Sequence, residues 1–101
     1  MPAVLFLPEA RDDLRDIWNY LIGNASVERA DAVLDRVKAA CDRYASHPEL
    51  GEVRHDLAPD VRCFTTDSLV IFYAPTSDGI QIVRVIHGAR NVAAQFRKHG
   101  R

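Results

Sequence analysis

Several features that would mark a membrane, metal-binding or disulfide-rich protein are missing from the sequence. No apolar run approaches the roughly 18 residues that a membrane-spanning helix needs, so no contact with a membrane is expected. The only two cysteines, Cys41 and Cys63, lack the spacing of a zinc motif, and no cofactor is predicted. Two such cysteines are typical of buried thiols in a reducing compartment, which predicts a cytoplasmic protein.

Internal repeats and low-complexity segments are also absent, so neither a repeat architecture nor a biased, disordered region is expected. The composition, 48% hydrophobic and 27% charged, is that of an ordinary globular protein. With 101 residues the chain is predicted to form a single domain, residues 1–101, because two domains would each be too small for a core. The core of so small a domain is limited, and a bound partner would add to its stability.

Basic residues are scarce in the first part of the chain and acidic residues in the last. Residues 1–60 contain 7 Lys and Arg against 12 Asp and Glu, a net charge of −5, whereas residues 61–101 contain 6 against 2, a net charge of +4. Two interpretations remain open. In the first, the carboxylates are simply solvent-exposed charges on the helices. In the second, the C-terminal third presents a cationic surface to an anionic partner, protein or nucleic acid.

Two segments with helical periodicity follow a short apolar strand at residues 4–7. Pro8 suits the first position of a helix, and Gly23-Asn24 is expected to end it because both residues tolerate positive φ. Ser26 is a favourable N-cap for a second helix, which closes at Pro48, and the short link predicts an antiparallel hairpin. Each helix carries one apolar stripe: Ala10, Leu14, Ile17, Trp18, Leu21 and Ile22 on the first, and Ala30, Val33, Leu34, Val37, Cys41, Tyr44 and Ala45 on the second.

Three strands are predicted after the helices, at residues 61–65, 69–74 and 80–87. Asp67-Ser68 and Asp78-Gly79 supply the turns between them, and residues 91–98 predict a short helix or a frayed tail. The order β-α-α-β-β-β predicts an α+β fold. In it, the antiparallel helical hairpin packs on one face of a small, mainly antiparallel sheet.

Short segments spread over residues 8–91 carry a more specific pattern: Ala10-x-x-Asp13-Leu14-x-x-Ile17-Trp18-x-Tyr20, His47-Pro48-x-x-Gly51, Val61-Arg62, Val70-Ile71-Phe72-Tyr73 and Ile82-Val83-Arg84-Val85-Ile86-His87-Gly88-Ala89-Arg90. In this order, and over nearly the whole chain, they resemble the ParE branch of the RelE/ParE toxin superfamily. The resemblance implies the toxin of a bacterial type II toxin–antitoxin pair, held inactive by a ParD-like antitoxin. Such complexes usually repress their own operon, so operator DNA would be contacted only through the antitoxin. Characterised ParE-like toxins act on DNA gyrase, which is therefore the expected target.

Arg84 is the first choice for a functional residue. On a regular strand it shares a face with Ile80, Ile82 and Ile86. One interpretation is a lone arginine whose guanidinium reaches solvent at the rim of the sheet. The other is a cationic group on the sheet face left open by the helical hairpin, suited to carboxylate or phosphate. The resemblance favours the second, because RelE-like relatives carry their active-site arginines on that face.

His87 and Arg90 flank the sharp turn expected at Gly88. A lone histidine is more often structural than catalytic, so His87 either braces this turn or belongs to a binding surface. Arg90 either meets an acidic group of a partner or pairs with Asp13 or Asp16.

Arg62 and Trp18 complete the predicted binding residues. Arg62, at the start of a strand, is either ordinary surface charge or part of the same basic patch as Arg84. Trp18 lies on the apolar stripe of the first helix, so core packing is expected. At the edge of that stripe it would instead anchor a partner.

A catalytic function is not expected. RelE-type RNA cleavage needs groups that exchange protons and cations that stabilise the transition state. The basic half offers only Tyr73, His87 and His99 for proton transfer. Where RelE-like proteins commonly carry a tyrosine after the turn, this chain has Phe96, which exchanges no proton. No catalytic residue is therefore predicted. The alternatives are a ribosome-dependent mRNA endonuclease of the RelE type, or an inactive relative that serves only as antitoxin partner and co-repressor.

Overall fold

Two helices pack on one face of a five-stranded sheet in the computed structural model, which describes residues 2–88 together with Ala94, Phe96 and Arg97. The elements are β1 (Ala3–Phe6), α1 (Pro8–Asn24), α2 (Val27–Ser46), a 3-10 turn (Pro48–Leu50), β2 (Glu52–Val53), β3 (Arg62–Thr66), β4 (Leu69–Thr76) and β5 (Gly79–His87). The strands lie in the order β1-β5-β4-β3-β2. β1 runs parallel to β5, and the other neighbours are antiparallel. The predicted α+β fold is confirmed.

The helices begin and end at the predicted signals, but the end of α1 is stabilised in a different way from the one expected. Pro8 opens α1, and Ser26 caps α2 by accepting a hydrogen bond on Oγ from the backbone N–H of Arg29, at 3.0 Å. α1 ends at Asn24 as expected, but Asn24 is not in the left-handed region. Its side-chain amide instead donates to the carbonyl of Tyr20 at 2.9 Å. None of the described helices has both the length and the apolar character that crossing a membrane requires.

The sheet separates two apolar clusters. The hairpin-side cluster joins α1 and α2 to the sheet, and its buried members include Ala10, Val33, Val37, Cys41, Phe64, Ile71, Tyr73, Ile80, Ile82 and Val85. The far-side cluster covers the opposite face and consists of buried Val61, Cys63, Phe72 and Ile86 with half-buried neighbours that include Leu57, Val70 and Phe96. Burial raises the pKa of the Cys41 thiol to about 12, which leaves it an unreactive core group.

The far face of the sheet is therefore covered, which corrects the expectation that the hairpin leaves it open. Phe72 is fully buried there. The guanidinium carbon of Arg54 lies 5.8 Å from the centre of the Phe72 ring on one side. The ring of Phe96 meets it edge-on, with the ring centres 5.1 Å apart. Phe96 lies within the predicted C-terminal helix, of which Ala94, Phe96 and Arg97 are described and helical.

A β-bulge in β5 changes which side chains share a face. Phe72 pairs with Arg84, but the next residue, Tyr73, pairs with Ile82, so Val83 is the extra residue. The alternation therefore shifts by one across the bulge. Ile82 belongs to the hairpin-side cluster and Ile86 to the far-side cluster. The expectation that Arg84 shares one face with Ile80, Ile82 and Ile86 is wrong, because it assumed an unbroken period of two.

The predicted turn at Asp67-Ser68 is confirmed and is held by α2. Both residues have positive φ, 52° and 66°, as a two-residue hairpin turn requires. Arg36 of α2 donates two hydrogen bonds to the Asp67 carboxylate, at 2.7 and 2.8 Å. A left-handed backbone conformation is unfavourable for residues that carry a side chain. The two hydrogen bonds from Arg36 help to stabilise this turn and hold it against α2.

The His47-Pro48-x-x-Gly51 segment is anchored by the fully buried Tyr73. The Tyr73 hydroxyl donates to the carbonyl of Pro48 at 2.6 Å and accepts from the N–H of Gly51 at 2.9 Å. A Cβ at position 51 would collide with the hydroxyl and ring of Tyr73. Glycine is thus required at position 51 by close packing, and Tyr73 by its two hydrogen bonds.

Replacing Tyr73 with phenylalanine should lower the free energy of unfolding by about 1–3 kcal/mol, because the N–H of Gly51 and the carbonyl of Pro48 lose their partner. Urea unfolding measures this change. Tyr20 is the matched control, since this residue is 63% exposed and Tyr20→Phe should leave stability almost unchanged. A similar loss in both variants would contradict the role given to the Tyr73 hydroxyl.

Replacing Asp67 with asparagine should make the protein less sensitive to acid. The hydrogen bonds from Arg36 are the main reason that the pKa of Asp67 lies below its ordinary value. A pKa depressed in the folded state adds stability above the ordinary aspartate value of about 3.9, and this contribution disappears as the pH falls through the folded-state value. Between pH 7 and pH 3, wild-type protein should therefore lose more unfolding free energy than Asp67→Asn. Asp31→Asn, an exposed control, should behave like wild type.

Candidate functional site

Arg84 forms a buried ion pair with Asp13 of α1. Its Nε donates to Oδ2 of Asp13 at 2.7 Å and its Nη2 to Oδ1 at 2.9 Å, in parallel. Only 8% of the Arg84 side chain and 10% of the Asp13 side chain are exposed. The backbone N–H of Val85 also donates to Oδ2 of Asp13, at 2.9 Å. The carboxylate therefore accepts three hydrogen bonds, two of them from a charged donor.

The local fold explains why Asp13 reaches this position. β1 pairs with β5 only as far as Phe6 and Ile82, and the N–H of Leu7 then donates to the carbonyl of Ile82 at 3.0 Å. The chain turns into α1 at Pro8, and Asp13 comes to lie beside the part of β5 that β1 no longer covers. Its carboxylate thus replaces a strand partner for the N–H of Val85.

Arg84 also holds the C-terminal segment. Its Nη1 donates to the carbonyl of Phe96 at 3.0 Å, while the Phe96 ring packs on Phe72. Arg84 therefore connects α1, β5 and the segment around Phe96. It is 7% exposed, so neither expected placement, at the rim in solvent or on an open cationic face, describes it. The sequence prediction missed its partner, although Asp13 lies one turn from Ala10 and Ile17 on the apolar side of α1.

An open cleft of about 560 Å³ lies beside this ion pair, between α1, the start of α2 and the adjoining ends of β4 and β5. We call it the hairpin cleft. Its apolar surface includes Ile17, Leu21, Val33, Leu69 and Val85, and its polar groups include Asp13, Asp16, Arg29, Asp67, Arg84 and His87. The Tyr20 side chain, 63% exposed, also lines it. A volume of this order lies within the range of pockets that receive small molecules.

His87 is exposed at the end of β5 and lines the cleft. The turn after it is braced by backbone, because the N–H of Gly88 donates to the carbonyl of Ser68 at 2.7 Å. The bracing role considered for His87 thus belongs to Gly88, and the side chain of His87 has no hydrogen bond or ion pair with the described residues. Arg90 lies outside the described residues. Of its two expected partners, Asp13 pairs with Arg84.

Arg62 and Trp18 do not join this site. Nη1 of Arg62 donates to the carbonyls of Glu49 and Gly51, both at 2.9 Å, so Arg62 supports the loop that Tyr73 also holds. It is neither free surface charge nor part of a patch with Arg84. Trp18 is half-buried but belongs to neither cluster, and its role as a partner anchor remains a prediction. Among the described residues, no group of three His, Cys, Asp or Glu side chains is arranged to hold a metal ion.

Comparison with known proteins gives one consistent result. The family model described as "ParE toxin of type II toxin-antitoxin system, parDE" matches residues 4–92. The chain is 31% identical over 86 residues to Toxin ParE3 of Caulobacter vibrioides, covering 85% of this chain and 86% of that protein. It is 32% identical over 89 residues to Toxin ParE1 of Mycobacterium tuberculosis, covering 87% of this chain and 91% of that protein.

A solved structure shares the fold. A chain of the structure entitled "Chromosomal ParDE TA system from P. aeruginosa" superposes with a TM-score of 0.71, covering 86% of this chain and 96% of that chain. At 19% sequence identity, this likeness establishes the common fold.

Replacing Asp13 with asparagine should lower the free energy of unfolding by about 3–5 kcal/mol, because the buried guanidinium of Arg84 loses its counter-charge. Urea unfolding measures the loss. The control is Asp42→Asn, since Asp42 is 61% exposed and pairs with Lys38 at 3.7 Å; there the loss should stay below about 1 kcal/mol. Asp13→Leu combined with Arg84→Met should recover much of the stability. Equal losses at Asp13 and Asp42 would contradict the central role of the buried pair.

Proposed function

Since the chain belongs to the ParE toxins of type II toxin–antitoxin systems, we propose that it poisons DNA gyrase in the cytoplasm and is neutralised there by a ParD-like antitoxin. The toxin acts by binding its target and not by cleaving RNA. The observation that supports this part of the proposal is that the guanidinium of Arg84 is already bound to Asp13 and to the carbonyl of Phe96.

A ribonuclease of the RelE type would need Arg84 to meet a phosphate. Its guanidinium instead donates to both oxygens of Asp13 and to the carbonyl of Phe96, and the residue is 7% exposed. Meeting a phosphate would require breaking a buried ion pair, which is strongly unfavourable. Phe96, in the region where RelE-like relatives commonly carry a tyrosine, packs its ring on Phe72 and has no proton to exchange. Both observations favour action by binding.

The charge of the chain also supports an indirect route to operator DNA. The net charge is −1, and residues 1–60 alone carry −5. Direct binding to DNA relies on neutralising phosphates with many Lys and Arg side chains. We therefore assign operator contact to the antitoxin, with the toxin as its bound partner. The Pseudomonas structure, entitled a ParDE system, supports a partner of this kind.

Purified protein should slow DNA supercoiling by gyrase, or trap cleaved DNA, and should cause no codon-dependent cleavage of mRNA on programmed ribosomes. The product of the reading frame adjacent to its gene should relieve the effect on gyrase when it is added in equimolar amount. His87→Ala and His55→Ala, both at exposed positions, form a matched pair for the ribosome assay.

Cleavage that His87→Ala abolishes and His55→Ala leaves intact would contradict the proposal and favour a ribonuclease. Expression of the chain alone in a bacterial host supplies the second control. Absence of growth arrest there, together with normal supercoiling in vitro, would indicate an inactive relative that serves as antitoxin partner and co-repressor.

A further inference from the structure

We propose that β1 is a self-association surface, through which two copies of the chain pair edge to edge and join their five-stranded sheets into one. In this dimer the two β1 strands run antiparallel about a two-fold axis at Leu5. The surface lies outside the hairpin cleft, and the inference does not depend on the identity of the target or of the antitoxin.

β1 lies at one edge of the sheet and lacks the features that usually keep an edge strand from pairing. Charged side chains, prolines within the strand and bulges are the common protections. The four residues of β1 are all apolar, and they pair with β5 in a regular register. At the opposite edge, β2 has only two residues, and one of them is the exposed Glu52. Of these two edges, β1 is the one suited to pairing.

The backbone of β1 directs alternate hydrogen-bonding groups to β5 and to the open edge. The N–H groups of Ala3 and Leu7 donate to carbonyls on the β5 side, at 2.8 and 3.0 Å. Because successive residues of a strand point their backbone groups in opposite directions, Leu5 also faces β5, whereas Val4 and Phe6 face away from it. The N–H and C=O groups of Val4 and Phe6 are therefore directed at the edge where a further strand can pair.

The spacing of these outward groups makes β1 complementary to itself. In antiparallel pairing about Leu5, Val4 of one copy lies opposite Phe6 of the second copy, and the two residues exchange both of their backbone hydrogen bonds. The two-fold axis repeats the exchange at the other Val4–Phe6 pair. All the outward groups of both strands are then satisfied.

The prolines that flank β1 select this register. A register centred on Val4 would place Phe6 opposite Pro2 of the second copy. A register centred on Phe6 would place Val4 opposite Pro8. Neither proline has an N–H to donate, so each of these registers loses hydrogen bonds that the register about Leu5 makes.

Leu5 gains an apolar partner at the two-fold axis. It points to the far side of the sheet, because its neighbours Val4 and Phe6 pack against the hairpin-side cluster. In a single copy it is 56% exposed. In the dimer it lies opposite Leu5 of the second copy, with Cα atoms about 4.5 Å apart, the spacing at which cross-strand side chains are closest.

On the hairpin side, an open groove of about 470 Å³ beside β1 has room for the side chains of an added strand. We call it the edge groove, and its apolar lining includes Val4, Phe6, Leu34, Val37 and Cys41. In the proposed register, Val4 and Phe6 of the second copy face this groove. Its charged residues are one cation and one anion, Lys38 and Asp42, and the net charge of the chain is only −1. Charge repulsion between two copies is therefore small.

Sedimentation equilibrium of the purified chain tests the proposal. The measured mass should rise from 11.3 kDa towards twice that value as the concentration increases. A short strand forms a small interface, so the rise should fall between about 10 μM and about 1 mM. Leu5→Lys should raise the dissociation constant about tenfold or more, because it sets two like charges against each other at the axis. Leu50→Lys, at a residue that is 60% exposed and lies outside β1 and the edge groove, should stay within about twofold of wild type.

A cysteine at position 5 identifies the residues that meet. Leu5→Cys should form a disulfide-linked dimer under mild oxidation, because Cα atoms about 4.5 Å apart lie within the range of about 4.4–6.8 Å that a disulfide spans. The native thiols of Cys41 and Cys63 are buried. Leu50→Cys is the control, and it should cross-link about tenfold more slowly or less.

Amide hydrogen exchange of the wild-type chain locates the contact without any substitution. Exchange at Val4 and Phe6 should slow several-fold as the concentration rises to about 1 mM, since their N–H groups become bonded only in the dimer. The N–H of Leu7, which donates to the carbonyl of Ile82 within one copy, should not change.

A chain that remains monomeric up to about 1 mM would overturn the inference. A dimer that leaves exchange at Val4 and Phe6 unchanged, or that folded Leu5→Lys still forms with wild-type affinity, would overturn it by assigning association to another surface. Equal cross-linking of Leu5→Cys and Leu50→Cys would do the same. Protection of Val4 and Phe6 only after the product of the adjacent reading frame is added would assign the edge to a different protein, and would also overturn it.

Discussion

The buried pair of Asp13 and Arg84 is the interaction on which the arrangement of the molecule depends. Two charges removed from water must be matched in place and direction, because a carboxylate or a guanidinium left alone in the interior is strongly unfavourable. Asp13 meets this requirement by accepting from the side chain of Arg84 and from the N–H of Val85. The position of α1 along β5 is thereby fixed more narrowly than apolar packing alone would fix it, since apolar contacts tolerate sliding.

The same pair joins the two sides of the sheet. The hairpin side holds the large cluster under α1 and α2, and the far side holds a smaller one closed by Arg54 and Phe96. Arg84 touches both, through Asp13 and through the carbonyl of Phe96. The guanidinium of Arg84 is therefore engaged by groups of the fold itself on both sides. The hairpin cleft lies beside this pair, and its apolar surface includes Ile17, Leu21 and Val33.

The sequence predicted the local structure well and the long-range contacts poorly. Pro8, Ser26 and the Asp67-Ser68 turn act through their own backbone and near neighbours, so their signals could be recognised in order along the chain. The bulge at Val83 carries no local signal, and it reverses the faces assigned to the end of β5. The pairing of Asp13 with Arg84 spans 71 residues. Arg84 was recognised as unusual, but which of four acidic residues near the start of α1 would meet it depends on packing that no short pattern encodes.

The pairing of β1 with β5 also has a consequence for how the protein folds during its synthesis. Among the described strands β1 comes first in the sequence, yet it pairs with β5, which comes after all the others, and the two run parallel. Contacts this distant in sequence form late, because much of the chain must be ordered before they are made. During translation α1 and α2 are therefore synthesised before four of the five strands of the sheet on which they pack. The described sheet cannot be completed until β5 has been synthesised, because β5 is the strand that joins β1 to β4.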